Sequence, residues 1–475
     1  MTYLRYIAAV LMTVAVVFGF SSCIEDGFTE STADQPQFST DTLYMGTVFT
    51  DEVTTTYRFT VRNPHSKGLN ISKISLSGPN ASLFRLNVDG FSGSDFSNIE
   101  IRAKDSIYVF VEATLTENKA DLPVVVNADI EFVTNGVTSK VVVDAVGQDV
   151  ERLRAVTIDK DTHFTAAKPY QIFDSLVVAE GVTLSLDPGA SLCFHDKATM
   201  IVRGTLKSNG TVDKPVSLRG DRTGNVITDI TFDLMSRQWN GLQFTLSSVD
   251  NVMTNTSVRN TCYGVIASGD GVSGSSPKLT LVNCQLRNSG DRVLEAYDAD
   301  VRAAGCEFAE SANGLVFLQG GNHVFNHCTF ANYYLFSAIS GPAIALTHLN
   351  PADDGDNPLD TPYTKALFSN SIIYGLGSDI TPGDLTDTDV ILRYCLFKSA
   401  GTDDDNFINC LWDCDPLYYT VREDYIFDYR LKPDSPAIGA GDPSLTLPEA
   451  ATDAYGLPRG AVPDLGAYVF TPPAE

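Results

Sequence analysis

Cys284-Gln-Leu-Arg-Asn288, Cys306-Glu-Phe308 and Cys328-Thr-Phe330 recur at a spacing of 22 residues, each with a large apolar side chain two places after the cysteine. Cys262 stands 22 residues before Cys284 but has no such follower, whereas Thr256 does: Val258, then Arg259-Asn260 and Gly264-Val265, answering to Leu286, Arg287-Asn288 and Val293. Thr256 is therefore the residue in register, and the loop Gly269–Pro277 lengthens its repeat. Ser371 with Ile373, and Cys395 with Phe397, carry the pattern past an acidic insertion near Pro351–Pro362. A period of this length is that of a solenoid whose coils stack equivalent side chains about 4.8 Å apart. Thr, Cys and Ser form a column of small residues, and Val, Leu, Phe and Ile a column that fills the interior. Asn288 and Asn332 fall where a sharp bend tolerates a left-handed residue. A single coil has no core and open edges, so stability comes from stacking and from covered ends.

Working outward, Asp174–Phe194, Ala198–Leu206 and Lys214–Gly220 read as strands of two to five residues punctuated by Gly and Asp-Pro, too closely spaced for ordinary hairpins. The whole chain has 475 residues and a formal charge of -26. That balance excludes nucleic acid as a partner, since displacing counterions from a polyanion needs clustered Lys and Arg. A hydrophobic content of 43% excludes a disordered chain and a multi-span membrane protein.

The start sets an address. Arg5 precedes an apolar run from Tyr6 to Phe20, then Ser21-Ser22-Cys23, which is the pattern of a signal segment over residues 1–22 and is too short for a comfortable membrane span. Residues 23–36 are polar and read as a tether. Over 37–150, short β-rich runs such as Thr54–Val61, Ser106–Glu112 and Val141–Val143 alternate with turn formers, among them Asn135-Gly136, the strongest local hairpin signal. This pattern predicts an antiparallel sandwich.

Three resemblances follow from quoted residues. Small residues before Cys23, with Ile24-Glu25-Asp26 after it, resemble the lipobox and acidic export signal of Bacteroidota-type surface lipoproteins, which implies acylation at Cys23 and a lipid-anchored place on the outer membrane, facing the cell exterior. Phe38 to Val48, Val61 with Asn63, Ala103–Ser106 and Val146–Asp149 resemble the immunoglobulin-like modules of bacterial surface proteins, which space or dock other domains. Ser435-Pro-Ala-Ile-Gly-Ala-Gly441, Asp453-Ala-Tyr-Gly-Leu-Pro-Arg459 and Pro463-Asp-Leu-Gly-Ala-Tyr468 resemble the closing segment of bacterial right-handed parallel β-helix proteins of pectin-lyase-like fold. The expected fold is thus all-β: an immunoglobulin-like sandwich over 37–150, a right-handed parallel β-helix over 151–430 and a cap over 431–475. That family includes polysaccharide-active enzymes alongside proteins without assigned activity, so the fold confers none.

Catalytic signals are sparse. The Gly-His-Gly and Arg-x-Lys motifs of pectinase-type hydrolases do not occur, nor do a nucleophile elbow, a phosphate loop or a dinucleotide fingerprint. Arg259 and Arg287 recur in register and, with Trp239, Tyr333 and Tyr334, are the candidate glycan contacts; Trp412 is a further aromatic candidate. Asp353–Asn357 and Asp403–Asn406 are acidic loops that could take Ca²⁺ without matching an EF-hand. His323 and His327 lack a further ligand for zinc, and the cysteine column lacks Cys-x-x-Cys spacing, so packing is its expected role; Cys410 and Cys414 could pair in an oxidising compartment. The expected function is non-catalytic binding of a polysaccharide, or assembly with an outer-membrane protein. A lyase or glycosidase working on the β-helix face is the alternative.

Overall fold

The computed structural model describes residues 27–227, 230–271, 276–353, 355 and 359–472. The expected signal segment and Cys23 lie outside them. Among the described residues strand accounts for 47% and helix for 3%, so the protein is all-β. It divides into two compact units, Met1–Gln148 and Asp149–Glu475.

The first unit is built of two five-stranded sheets. One runs in the order Gln37–Phe38, Tyr57–Arg62, Ser106–Ala113, Phe84–Val88, Phe91–Gly93, antiparallel throughout. The other runs Thr42–Phe49, Val137–Gln148, Val124–Thr134, Leu69–Ser77, Asp95–Ile101, and its first pair is parallel. Asn135 and Gly136 close the hairpin between Val124–Thr134 and Val137–Gln148 with φ of 50° and 78°, the double left-handed turn that matches strand twist. Alternation sets the core: Ser106–Ala113 buries Ile107, Val109, Val111 and Ala113 and turns Tyr108, Phe110 and Glu112 outward. Residues 27–36, expected as a free tether, are instead docked on this unit. Thr29 N–H donates to Gly68 O, Gln35 Nε2 to Thr134 O, and Asn135 Nδ2 to the carbonyls of Ser31 and Asp34. Their polarity satisfies neighbouring backbone groups rather than solvating a linker.

The second unit carries large parallel sheets compatible with a β-helix. Three ladders recur in sequence order. The first contains Thr256–Arg259, Gln285–Ser289, Glu307–Ser311 and Thr329–Ala331. The second contains Val265–Ser268, Leu294–Tyr297, Val316–Gln319 and Ile344–Thr347. The third contains Leu279–Val282, Val301–Ala304 and Asn322–Asn326 within a ten-stranded sheet. Pairing of Ser257 with Gln285, Gln285 with Glu307 and Glu307 with Thr329 stacks Thr256, Cys284, Cys306 and Cys328 in one column; Ser371 and Cys395 continue it. Cys262 stands outside. The bend before this column is left-handed at Asn255, Asn283, Gly305, His327 and Asn370. Asn288 is left-handed as well, but Asn332 is not.

Val258, Leu286, Phe308, Phe330, Ile373 and Phe397 form the inward column. Around its middle, Phe308 stacks on Phe330 at 5.1 Å, Phe325 on Phe368 at 4.9 Å, and the two pairs meet edge to face.

The closing segment departs from the expected cap. It lies along the flank of the first ladder and reaches several coils: Asn283 Nδ2 donates to Asp453 O, Asn326 Nδ2 to Leu445 O, and Asn370 Nδ2 to Asp442 O. The reason is in the outward positions, where Ala309, Ala331, Ile372 and Leu396 are apolar and are covered by Tyr418, Tyr429, Leu431, Ala437, Leu465 and Tyr468. Burial alternates from Gln285 to Asn288, whereas every residue of Glu307–Ser311 is buried.

Candidate functional site

The 22-residue spacing that stacks the cysteines also pairs Glu295 with Phe317 and Tyr297 with Gln319 on the second ladder, with Leu294 and Ala296 pointing inward between them. The Tyr297 and Phe317 rings lie 5.4 Å apart at 47°. Arg292 holds its guanidinium 4.8 Å above the Phe317 ring and 3.5 Å from Glu295 Oε1, and the Tyr297 hydroxyl donates to Glu295 Oε2. Burial, together with the Glu295 carboxylate, pushes the Tyr297 hydroxyl up to about 12, against the pull of Arg292. Phe317 and Gln319 border a cleft of about 400 Å³ whose other walls include Leu346, His348, Leu359 and Pro382. The half-buried rings of Tyr297 and Phe317 and the Gln319 amide can stack a ring and hold its hydroxyls, while the buried Glu295 carboxylate holds Arg292 and the Tyr297 hydroxyl in place. The sequence reading followed the cysteines onto another ladder and missed this set, although Glu295/Phe317 and Tyr297/Gln319 share the same spacing.

The residues expected to contact glycan are placed elsewhere and do not form one surface. Trp239 is fully buried, stacked on Phe194 at 3.9 Å, with its Nε1–H donated to Arg259 O. Tyr334 is buried and its hydroxyl meets Ser236 Oγ at 2.6 Å. Tyr333 is packed among Tyr418 and Tyr429 of the closing segment. Trp412 stacks on Phe397 at 4.6 Å and donates to Asp403.

Arg259 and Arg287 do stand in register on the first ladder. Asp233 bridges Arg259 at 3.0 Å and Arg219 at 3.4 Å. Burial and the neighbouring arginines lower the Arg259 pKa despite Asp233. Arg287 pairs with Glu307, which also accepts from the Tyr468 hydroxyl, while Glu310 accepts from Tyr429. Burial pushes the Glu310 carboxyl up to about 8, with Glu307 adding to the rise and Arg287 and the Tyr429 hydroxyl opposing it. Glu307 and Glu310 are each 2% exposed, so this acid pair lies beneath the closing segment with no face for a substrate.

No group of three or more His, Cys, Asp or Glu among the described residues is placed to hold a metal ion. Asp354, Asp356 and Asn357 of the first acidic loop lie outside them. In the second, Asp403 accepts from the backbone of Asn409 and Cys410, and Asp404 from that of Asn406 and Phe407. Cys410 and Cys414 are free thiols, as are the other six described cysteines. His323 and His327 are buried with separate partners, Gly320 O at 2.9 Å and Thr446 Oγ1 at 2.9 Å.

No family model and no curated protein matches the chain. Among solved structures, a protein of unknown function from Porphyromonas gingivalis W83 is similar over 24% of this chain and 49% of its own, at 17% identity and a TM-score of 0.18. A family 123 glycoside hydrolase from Clostridium perfringens, described in the context of glycolipid glycan hydrolysis, is similar over 26% of this chain and 29% of its own, at 8% identity and a TM-score of 0.18. The chain thus matches about half of the first protein and under a third of the second, and TM-scores this low carry no argument.

Proposed function

We propose that the chain is a surface-exposed outer-membrane lipoprotein, acylated at Cys23, that binds glycans without cleaving them. In this reading an immunoglobulin-like sandwich spaces a right-handed parallel β-helix of the pectin-lyase-like kind, and the ligand lies on the second ladder. One observation carries it: Tyr297 and Phe317 pair beside Glu295 and Arg292, and Phe317 with Gln319 borders a cleft of about 400 Å³. Sugar C–H faces stack on such rings while the Gln319 amide oxygen accepts a hydroxyl proton. The raised acid, Glu310, is buried away from solvent, which favours binding over hydrolysis or elimination.

Residues 27–475, screened against plant, host and bacterial polysaccharides by affinity electrophoresis, are expected to be retarded by at least one glycan. Phe317→Ala then weakens that retention about tenfold, the equivalent of 1.4 kcal/mol. Equal retention of wild type and variant by every glycan bound overturns the assignment. New reducing ends or unsaturated uronates, abolished by substitutions on the β-helix face, would establish the lyase or glycosidase alternative instead. The anchor has its own test: Cys23→Ser is expected to move the chain from the membrane to the soluble fraction of the producing bacterium, and retention in the membrane overturns acylation.

A further inference from the structure

The first unit, read from sequence as a spacer, carries rings and arginines on the outward face of one sheet. Its antiparallel pairings lay the outward residues of one sheet in rows. Glu112 lies beside Arg85, and Thr56 Oγ1 donates to Glu112 Oε1 at 2.6 Å. In the next row Phe110 stands between Arg58 and Asn87, and Asn87 is followed by Ser92. In the third, Tyr108 stands beside Thr60, and Ser106 beside Arg62 lies beyond it. The Tyr108 and Phe110 rings are 6.0 Å apart, and Arg58 lies 5.3 Å over the Tyr108 ring. Along the Phe110 edge, Thr56, Arg85, Asn87, Ser92 and Glu112 border a cleft of about 690 Å³, within the range of small-molecule sites (~300–1,000 Å³).

Charge narrows the occupant. On a chain of net charge -26, Arg58, Arg62 and Arg85 project from one sheet face, and among the described residues none of them is within ion-pair distance of an acid. Glu112 is the carboxylate among them. Apart from the two rings, the outward groups in these rows are hydrogen-bonding ones, so there is no continuous apolar surface for a protein partner. The edge strand Phe91–Gly93 has three residues, too short a template for strand addition.

We infer that this face, with Phe110 and Tyr108 as platform and Arg58, Arg62 and Arg85 as anion contacts, binds an oligosaccharide bearing carboxylate or sulfate groups, independently of the second-ladder site. The test uses the full chain and three fluorescently labelled hexasaccharides: hyaluronan (carboxylate only), chondroitin sulfate (carboxylate and sulfate) and neutral cellohexaose. At least one anionic hexasaccharide is expected to bind at 50 mM salt and to weaken several-fold at 300 mM. Phe110→Ala and the exposed-site variant Arg58→Ala/Arg85→Ala each raise its Kd about tenfold or more, and Tyr44→Ala, an exposed ring on the other sheet, leaves it unchanged. Preference between hyaluronan and chondroitin sulfate tells carboxylate from sulfate recognition. Failure of both anionic probes to bind, cellohexaose binding equally well, or binding that survives both first-unit substitutions overturns the inference. Binding lost only in Phe317→Ala overturns it too, while leaving the second-ladder reading standing.

Discussion

Phe330→Ala is expected to lower the unfolding free energy of the second unit by about 3–5 kcal/mol, the range for truncating a fully enclosed aromatic side chain. Phe330 is 0% exposed and touches three other rings: Phe308 at 5.1 Å, Phe325 at 5.7 Å and Phe368 at 6.0 Å. These four side chains come from successive coils on the first and third ladders, so the cavity would sit at a junction rather than inside one coil. In a stacked array each coil is stabilised chiefly by its neighbours, and weakening one interface lowers the cohesion of both halves. Collapse around the cavity is restrained because the inward column repeats at fixed register and cannot slide without turning every side chain over. Phe336→Ala is the control, since that ring is 37% exposed and its loss is expected to cost under about 1 kcal/mol. Urea titration followed by far-ultraviolet circular dichroism measures both. A Phe330→Ala midpoint indistinguishable from that of Phe336→Ala would sink the assignment of this cluster as the centre of the stack.

The register of the stack was legible because its signal is redundant. A small residue followed two places on by a large apolar one repeats through Thr256, Cys284, Cys306, Cys328, Ser371 and Cys395, and it survives insertions of different length. Sidedness was less legible where an insertion resets the phase. Trp239 follows the long excursion after Gly220, so nothing local said that its ring points inward onto Phe194. The flank position of the closing segment had a signal: Ala309, Ala331, Ile372 and Leu396 are apolar at outward positions, where a solvated column would be polar. Reading it requires register and the direction of each side chain together, and only the first comes from spacing. Residues 27–36 mislead for another reason. Composition cannot distinguish a polar residue that faces water from one, such as Gln35, that donates to a backbone carbonyl 99 residues away.

Stability is expected to peak near pH 6.5 and to fall on both sides, through groups buried at opposite ends of their titration. On the acid side, burial lowers His323 to about 4 against the opposing pull of Gly320 O and Asp300, and lowers His327 to about 2 with Arg459 reinforcing it. Both folded pKa values lie below the unfolded value near 6.5, so the unfolded chain takes up protons first and stability is lost as pH falls through 6.5 toward 4. Each histidine is then worth up to about 3 kcal/mol over that span, at about 1.4 kcal/mol per pH unit. On the alkaline side the sign reverses. Glu310 is raised to about 8 from an unfolded value near 4.5, so the folded chain holds the proton longer; its contribution is complete below 4.5 and is lost as pH rises to 8. Between 4.5 and 6.5 two histidines outweigh one glutamate and stability rises with pH; above 6.5 Glu310 acts alone and stability declines by about 2 kcal/mol toward pH 8. Glu310→Gln keeps a neutral group against the Tyr429 hydroxyl and removes the titration, so its urea midpoint should stay level from pH 6.5 to 8 while that of wild type falls. Wild-type stability that climbs steadily through pH 8, or a variant that falls in parallel with it, would place the ionised carboxylate comfortably beneath the closing segment. It would also remove the reason for treating Glu310 as a neutral, structural contact.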